Sequence, residues 1–164
     1  MTLQSLRALY EYELHELRDA ESQLIDLLPR MAEAASDTDL KSQFKRHGEQ
    51  SRKHHDRIAS ILASIGSKED EVQCEGMRGI RREAERLLKD GLAEGAVRDA
   101  ALLSVAQKVE HYEMASYGTL RTYADVLGDS KARDTLQKTL DEEGAADDRL
   151  TKIANRAVNP AARA

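Results

Sequence analysis

Five carboxylates and a histidine stand where a helical protein would ordinarily carry leucine. Glu21 lies four residues after Leu17 and three before Leu24. Glu110 lies four after Ala106 and three before Glu113, and Glu113 lies seven before Leu120. Glu143 follows Leu140 by three, and Asp147 follows Glu143 by four and precedes Leu150 by three. Steps of three, four and seven keep side chains on one helical face. All five acids therefore interrupt apolar seams. His54 holds the matching place on another segment, four before Ile58 and seven before Ile61, with His47 seven earlier on the same seam.

Carboxylates are hard oxygen ligands, and histidine is the commonest nitrogen ligand. Five carboxylates gathered in a core would repel, and several would have to take up protons. Two divalent cations would bring +4 against that −5. A di-iron bundle takes one Glu from each of two helices and a Glu-x-x-His from each of the other two. Here Ser51 stands where the Glu before His54 belongs, Asp147 follows Glu143 where a His is expected one residue earlier, and Glu110-His111-Tyr112-Glu113 brings one acid more. Water could fill vacant positions. Each residue alone has a plainer reading. A single seam acid is ordinarily a boundary residue, His54 beside His55 an exposed or capping one, and Glu143 with Asp147 a surface pair. His47 is read as structural. The joint pattern makes Glu21, His54, Glu110, Glu113, Glu143 and Asp147 candidate ligands of two metal ions, iron before manganese, with Glu113 and Glu143 as bridges. No catalytic side chain is singled out.

Four long segments must position these residues. The first runs from about Thr2 to Ala35 along Leu3, Leu6, Tyr10, Leu14, Leu17, Leu24, Leu28 and Met31, with Pro29 expected to kink it or remove a hydrogen bond. The second runs from about Asp39 to Ile65, after the capping cluster Ser36-Asp37-Thr38-Asp39. The third spans about Ala96 to Leu127 and the fourth about Lys131 to Val158, where Asn159-Pro160 should end it and leave a frayed tail over 159–164. Between the second and third lies a stretch punctuated by Gly66, Gly76, Gly79, Gly91 and Gly95, with a short amphipathic helix from about Met77 to Lys89. The connections are thus short, long, short. A link of ~30 residues can travel the length of a bundle whose helices are ~45 Å long. The pattern predicts an all-α chain, a single ferritin-like four-helix bundle over residues 1–164 with one long crossover carrying an extra helix.

Composition bounds the rest. The chain has 164 residues, 34% of them charged, with no Trp, one Phe and two Pro. Lys and Arg number 25 against 30 Asp and Glu, a net charge of −5. That balance gives no electrostatic case for nucleic acid or an anionic membrane. One cysteine, Cys74, excludes an intramolecular disulfide and any multi-thiolate zinc site; it reads as a small buried apolar residue. Tyr112 and Tyr117 flank the presumed site as amphipathic core residues. There is no phosphate-binding Gly loop or nucleophile elbow. Neither a signal peptide nor a membrane span is legible at the N-terminus or elsewhere, so a cytoplasmic protein is expected.

Several stretches carry a likeness. Ala106-Gln107-Lys108-Val109-Glu110-His111-Tyr112-Glu113-Met114-Ala115-Ser116-Tyr117-Gly118-Thr119-Leu120 resembles the signature of the YciF/YciE-like ferritin-like family. So do Leu28-Pro29-Arg30-Met31-Ala32, Cys74-Glu75-Gly76-Met77 and Thr139 to Asp147. The resemblance covers about residues 3–158. It implies a bacterial, stress-associated bundle, a homodimer and a di-metal site. A fainter similarity links Ala20-Glu21-Ser22-Gln23, Glu110-x-x-Glu113 and His54 with Arg57-Ile58 to rubrerythrin-type di-iron proteins. If catalytic, the site would bind O₂ or peroxide at open metal positions and oxidise Fe(II). Ser51 and Asp147 depart from that pattern, and no rubredoxin-like cysteine pair accompanies it. The alternative is a dimeric helical stress-response protein that binds metal weakly or not at all.

Overall fold

A computed structural model describes residues 4–68, 72–89 and 94–163. Its helices are α1 Leu6–Ala34, α2 Thr38–Ser64, α3 Glu75–Lys89, α4 Ala96–Val126 and α5 Ser130–Ile153, then a π-helical turn Ala154–Val158 and a last short helix, α6, Asn159–Ala161. No strand occurs among the described residues. The expected seam residue Leu3, the expected start at Thr2 and Gly91 lie outside the described residues.

Local chemistry sets the boundaries. Ser5 Oγ, Asp37 Oδ1 and Asp129 Oδ1 accept the main-chain N–H groups of Ala8, Leu40 and Ala132, which caps α1, α2 and α5. Helices α2 and α4 end on Gly66 and Gly128, at φ 71° and 78°. In each, the next residue donates back to the carbonyl five positions earlier, Ser67 to Leu62 and Asp129 to Ala124. Pro29 lies inside α1, which continues to Ala34; proline has no N–H, so the carbonyl of Ile25 loses its usual partner. Residues 159–161 are helical where the sequence reading ended the helix, because the π turn buries Val158 and carries the backbone past Pro160.

Helix α1 packs on α2 and α4 on α5, while α1 meets α4 and α2 meets α5 across the bundle. Asp99, buried in the first turn of α4, accepts the N–H groups of Ser36 and Asp37 at 2.8 and 2.7 Å. This clamp fixes the start of α4 beside the α1–α2 turn. At the other end, Ser67 bonds Glu11 and His15 near the start of α1. The chain between α2 and α4 thus traverses the bundle, leaving those two helices parallel and diagonally opposed. That is the ferritin-like topology. On the way α3 packs on α1 and α4. Asp19 receives the Cys74 N–H at 2.8 Å, and Cys74 Sγ lies 2.9 Å from the Tyr112 hydroxyl. A Cβ on Gly76 would come within 2.7 Å of the Tyr112 ring, so this approach requires glycine.

The core is a continuous apolar column running from Tyr10, Leu14 and Leu17 through Leu24, Leu28, Phe44, Ile58, Leu102, Leu120, Leu136 and Leu150. It is interrupted at mid-height by fully buried polar side chains from all four long helices.

Candidate metal centre

Four carboxylates meet in that interruption. Glu21 comes from α1, Glu110 and Glu113 from α4, and Glu143 from α5; none has solvent exposure. Helix α2 contributes His47 and His54, both buried. Their ligand atoms form two groups. In each, one nitrogen or oxygen per residue lies within 4.8 Å of all the others. One group is His47, Glu110, Glu113 and Glu143. The other is Glu21, His54 and Glu143.

Glu143 is common to both. Its Oε1 lies 2.7 Å from His54 Nδ1 and its Oε2 lies 3.5 Å from His47 Nε2. The carboxylate therefore spans the gap between the two histidines. On the upper side, towards the α1–α2 turn, His47 Nδ1 lies 3.0 Å from Glu110 and Nε2 3.4 Å from Glu113. On the lower side His54 Nδ1 lies 3.6 Å from Glu21.

The surroundings orient these groups. Glu142 Oε2 lies 2.8 Å from His54 Nε2 and takes a 2.6 Å hydrogen bond from Arg57, which also donates to Thr139 at 2.9 Å. Arg57, followed by His54, holds the Glu142 carboxyl down at about 2, so it is ionised. An ionised Glu142 accepts the Nε2–H of His54 and leaves Nδ1 to face Glu21 and Glu143. This is the carboxylate–histidine pairing that fixes the tautomer of metal-bound imidazoles. Tyr117, edge-on to His54 with ring centroids 6.0 Å apart, donates its hydroxyl to Glu21 Oε1 at 2.5 Å.

Charge is badly balanced. Both oxygens of Glu110, Glu113 and Glu143 and Oε2 of Glu21 are buried without an aligned hydrogen bond among the described residues. So are His47 Nε2, His54 Nδ1 and Ser51 Oγ. Four ionised carboxylates would carry −4, against which two imidazolium groups would return only +2. Burial first, then Glu143 and Glu21, pushes Glu113 well above the ordinary carboxyl range. Burial works against the charged form of the histidines, but Glu110 and Glu113 override it and raise His47 well above its usual value. Glu143 and Glu21 do the same for His54, up to about 10. An unmet buried polar atom costs about 1–3 kcal/mol, and more if charged. Two divalent cations would neutralise the four acids with both imidazoles neutral. The donor set, oxygen-rich with one nitrogen on each side, suits iron or manganese.

The sequence candidates Glu21, His54, Glu110, Glu113 and Glu143 are thus brought together. Asp147 joins neither group. A step of four residues past Glu143 carries it a turn along α5 to the bundle edge, where its Oδ1 lies 3.4 Å from His111 Nε2 and the residue is partly exposed. His47, read as structural, lies inside the cluster within reach of three carboxylates. It supplies a nitrogen on the side where Ala146 replaces the expected His of α5. Its signal was the seven-residue step to His54. Of the two expected bridges, Glu143 spans both groups, and Glu113 lies in one. Glu142 and Arg57 were missed, since neither lies on an apolar seam.

Comparison with known proteins agrees with this architecture. YciF of Escherichia coli (strain K12) is 38% identical over 160 residues, 97% of this chain and 96% of its own. The crystal structure of that stress protein superposes with a TM-score of 0.91, covering 96% of this chain and 99% of that one. YcfI of Rhodopseudomonas palustris, provisionally named a structural protein, gives a TM-score of 0.87 at 34% identity over 93% of this chain and 96% of its own. The sequence profile called Domain of unknown function (DUF892) matches residues 5–163. The chain therefore belongs to the DUF892 family, the family of the YciF-like stress proteins.

Proposed function

We propose that this chain is a stress-associated ferritin-like protein that holds two metal ions, iron before manganese, in the interior of its bundle. One ion would take Glu21, His54 and Glu143, and the other His47, Glu110, Glu113 and Glu143. The observation that carries the reading is Glu143, whose two oxygens face two histidines within a set of buried acids that pair with no Lys or Arg among the described residues. Bound ferrous ions would supply electrons to O₂ or peroxide.

The protein's own contribution is positional. Glu142 and Arg57 hold the His54 ring, and Tyr117 holds Glu21 and keeps its proton, because burial and Glu21 raise its pKa well above that of free tyrosine. Leu17, Leu24, Ile58 and Leu120 line the column above and below and keep water out.

Anaerobic titration of metal-stripped protein with Fe(II) tests the reading. Two equivalents per chain are expected, with oxygen or peroxide consumption on exposure. A bundle used only structurally, as the name of the Rhodopseudomonas palustris relative suggests, would bind none. Failure of the wild type to take up close to two equivalents refutes the di-metal assignment.

A further inference from the structure

Two arginines converge on one amide at the α2–α5 seam, one turn above His47. Arg149 Nε donates to Gln43 Oε1 at 3.2 Å, and Arg46 donates to the same oxygen. Gln43 is buried, and its Nε2 has no hydrogen-bond partner among the described residues. Neither guanidinium forms an ion pair with an Asp or Glu among them. Burial, and then Arg46, lower the Arg149 pKa against the pull of Glu110, Glu143 and Asp148. The two guanidinium groups thus share one neutral acceptor, with no carboxylate at ion-pair distance from either among the described residues.

We infer that Gln43, Arg46 and Arg149 form a binding site for a dianionic tetrahedral oxyanion of the phosphate class. Each guanidinium has five N–H donors and spends one on Gln43, so most of both forks remain available. Planar guanidinium groups are the preferred partners of such oxyanions, and two of them match a charge of −2. Gln43 Oε1 draws the two forks together before any ligand arrives. Arg46 is exposed and Arg149 partly so, which leaves the site open to solvent. The site lies one turn along α2 from His47, and its donors are separate from the carboxylate cluster. The metal-free chain is therefore a sufficient form in which to test it.

Calorimetric titration of the full, metal-free chain with inorganic phosphate, in a low-salt buffer free of oxyanions, reads the proposal directly. Saturable binding of one phosphate per chain is expected. Arg46→Gln and Arg149→Gln should each weaken it roughly tenfold, the loss of one charged hydrogen bond. Arg149→Lys, which keeps charge and loses the fork, should fall between. Arg133→Gln, at an arginine paired with Asp125 and Asp134, should leave binding unchanged. Helical circular dichroism checks that each variant folds. Phenyl phosphate binding as well as phosphate would assign the site to a phosphoryl group on a larger molecule, and its exclusion would assign it to the free anion. No saturation with either probe overturns the inference. So does affinity unchanged in both Gln variants, or acetate binding as tightly as phosphate.

Discussion

Glu143 is the residue on which the two ligand groups depend, so truncations should separate by stoichiometry. Glu143→Ala is expected to lose both metal equivalents. Glu21→Ala should lose the His54-side ion and keep the other, and Glu110→Ala should do the reverse; Fe(II) or Mn(II) titration monitors each. A variant set in which all three lose metal equally would show that the centre is not divided in this way. Glu142 makes a separate prediction, because it touches no proposed ion. Glu142→Gln keeps the shape but weakens the hold on the His54 Nε2–H, and should cost about 10–100-fold in metal affinity at the His54 side. At this scale the sequence was legible wherever a polar residue broke an apolar seam, as Glu21, Glu110 and Glu113 do. It was not legible for Glu142, one residue and about 100° around the helix from Glu143, because a face read as solvated says nothing about which partner helix leans over it. Asp147 shows the converse, a seam residue that lies outside both groups. A spacing of four keeps a residue roughly on one face, but it does not keep its side chain at the same height.

At the scale of elements, the four long helices could be read from periodicity and caps. Ser5, Asp37 and Asp129 are ordinary capping residues placed before apolar runs. The clamp that orients α4 could not be read. Asp99 looks like any acid in a first helical turn, where the helix dipole favours it. Only the tertiary fold puts the α1–α2 turn against it and buries its carboxylate on two main-chain N–H groups. Removing it should therefore act as a core lesion rather than as a surface change. Asp99→Ala is expected to destabilise the chain by about 2 kcal/mol, with a fall in Tm on the order of 5 °C. Thermal unfolding followed by circular dichroism measures it. An unchanged Tm would mean that the turn needs no clamp and that packing alone sets the direction of the crossover.

For the whole molecule, the proposed centre would tie stability to pH in opposite senses with and without metal. Four of the chain's carboxyl groups, those of Glu21, Glu110, Glu113 and Glu143, lie in the interior. In the metal-free chain, Glu113 is raised well above the usual carboxyl range, His47 well above its usual value and His54 to about 10. All three shifts are upward, so over the window between unfolded and folded values the native state binds more protons than the unfolded one. Stability then falls as pH rises. For the histidines the stabilisation is complete below the unfolded value near 6.5 and lost as pH climbs through the folded values, about 10 for His54. Any bound cation would have to displace those protons, so metal affinity is expected to rise with pH and metal binding to release protons. The Tm difference between Mn(II)-saturated and metal-free protein should thus widen steadily from pH 6 to pH 8. Titration in two buffers of different ionisation enthalpy should show net proton release. A difference that narrows over this range, or binding with no proton exchange, would mean that the cluster holds its acids ionised without cations. The charge argument for a di-metal centre would then fail.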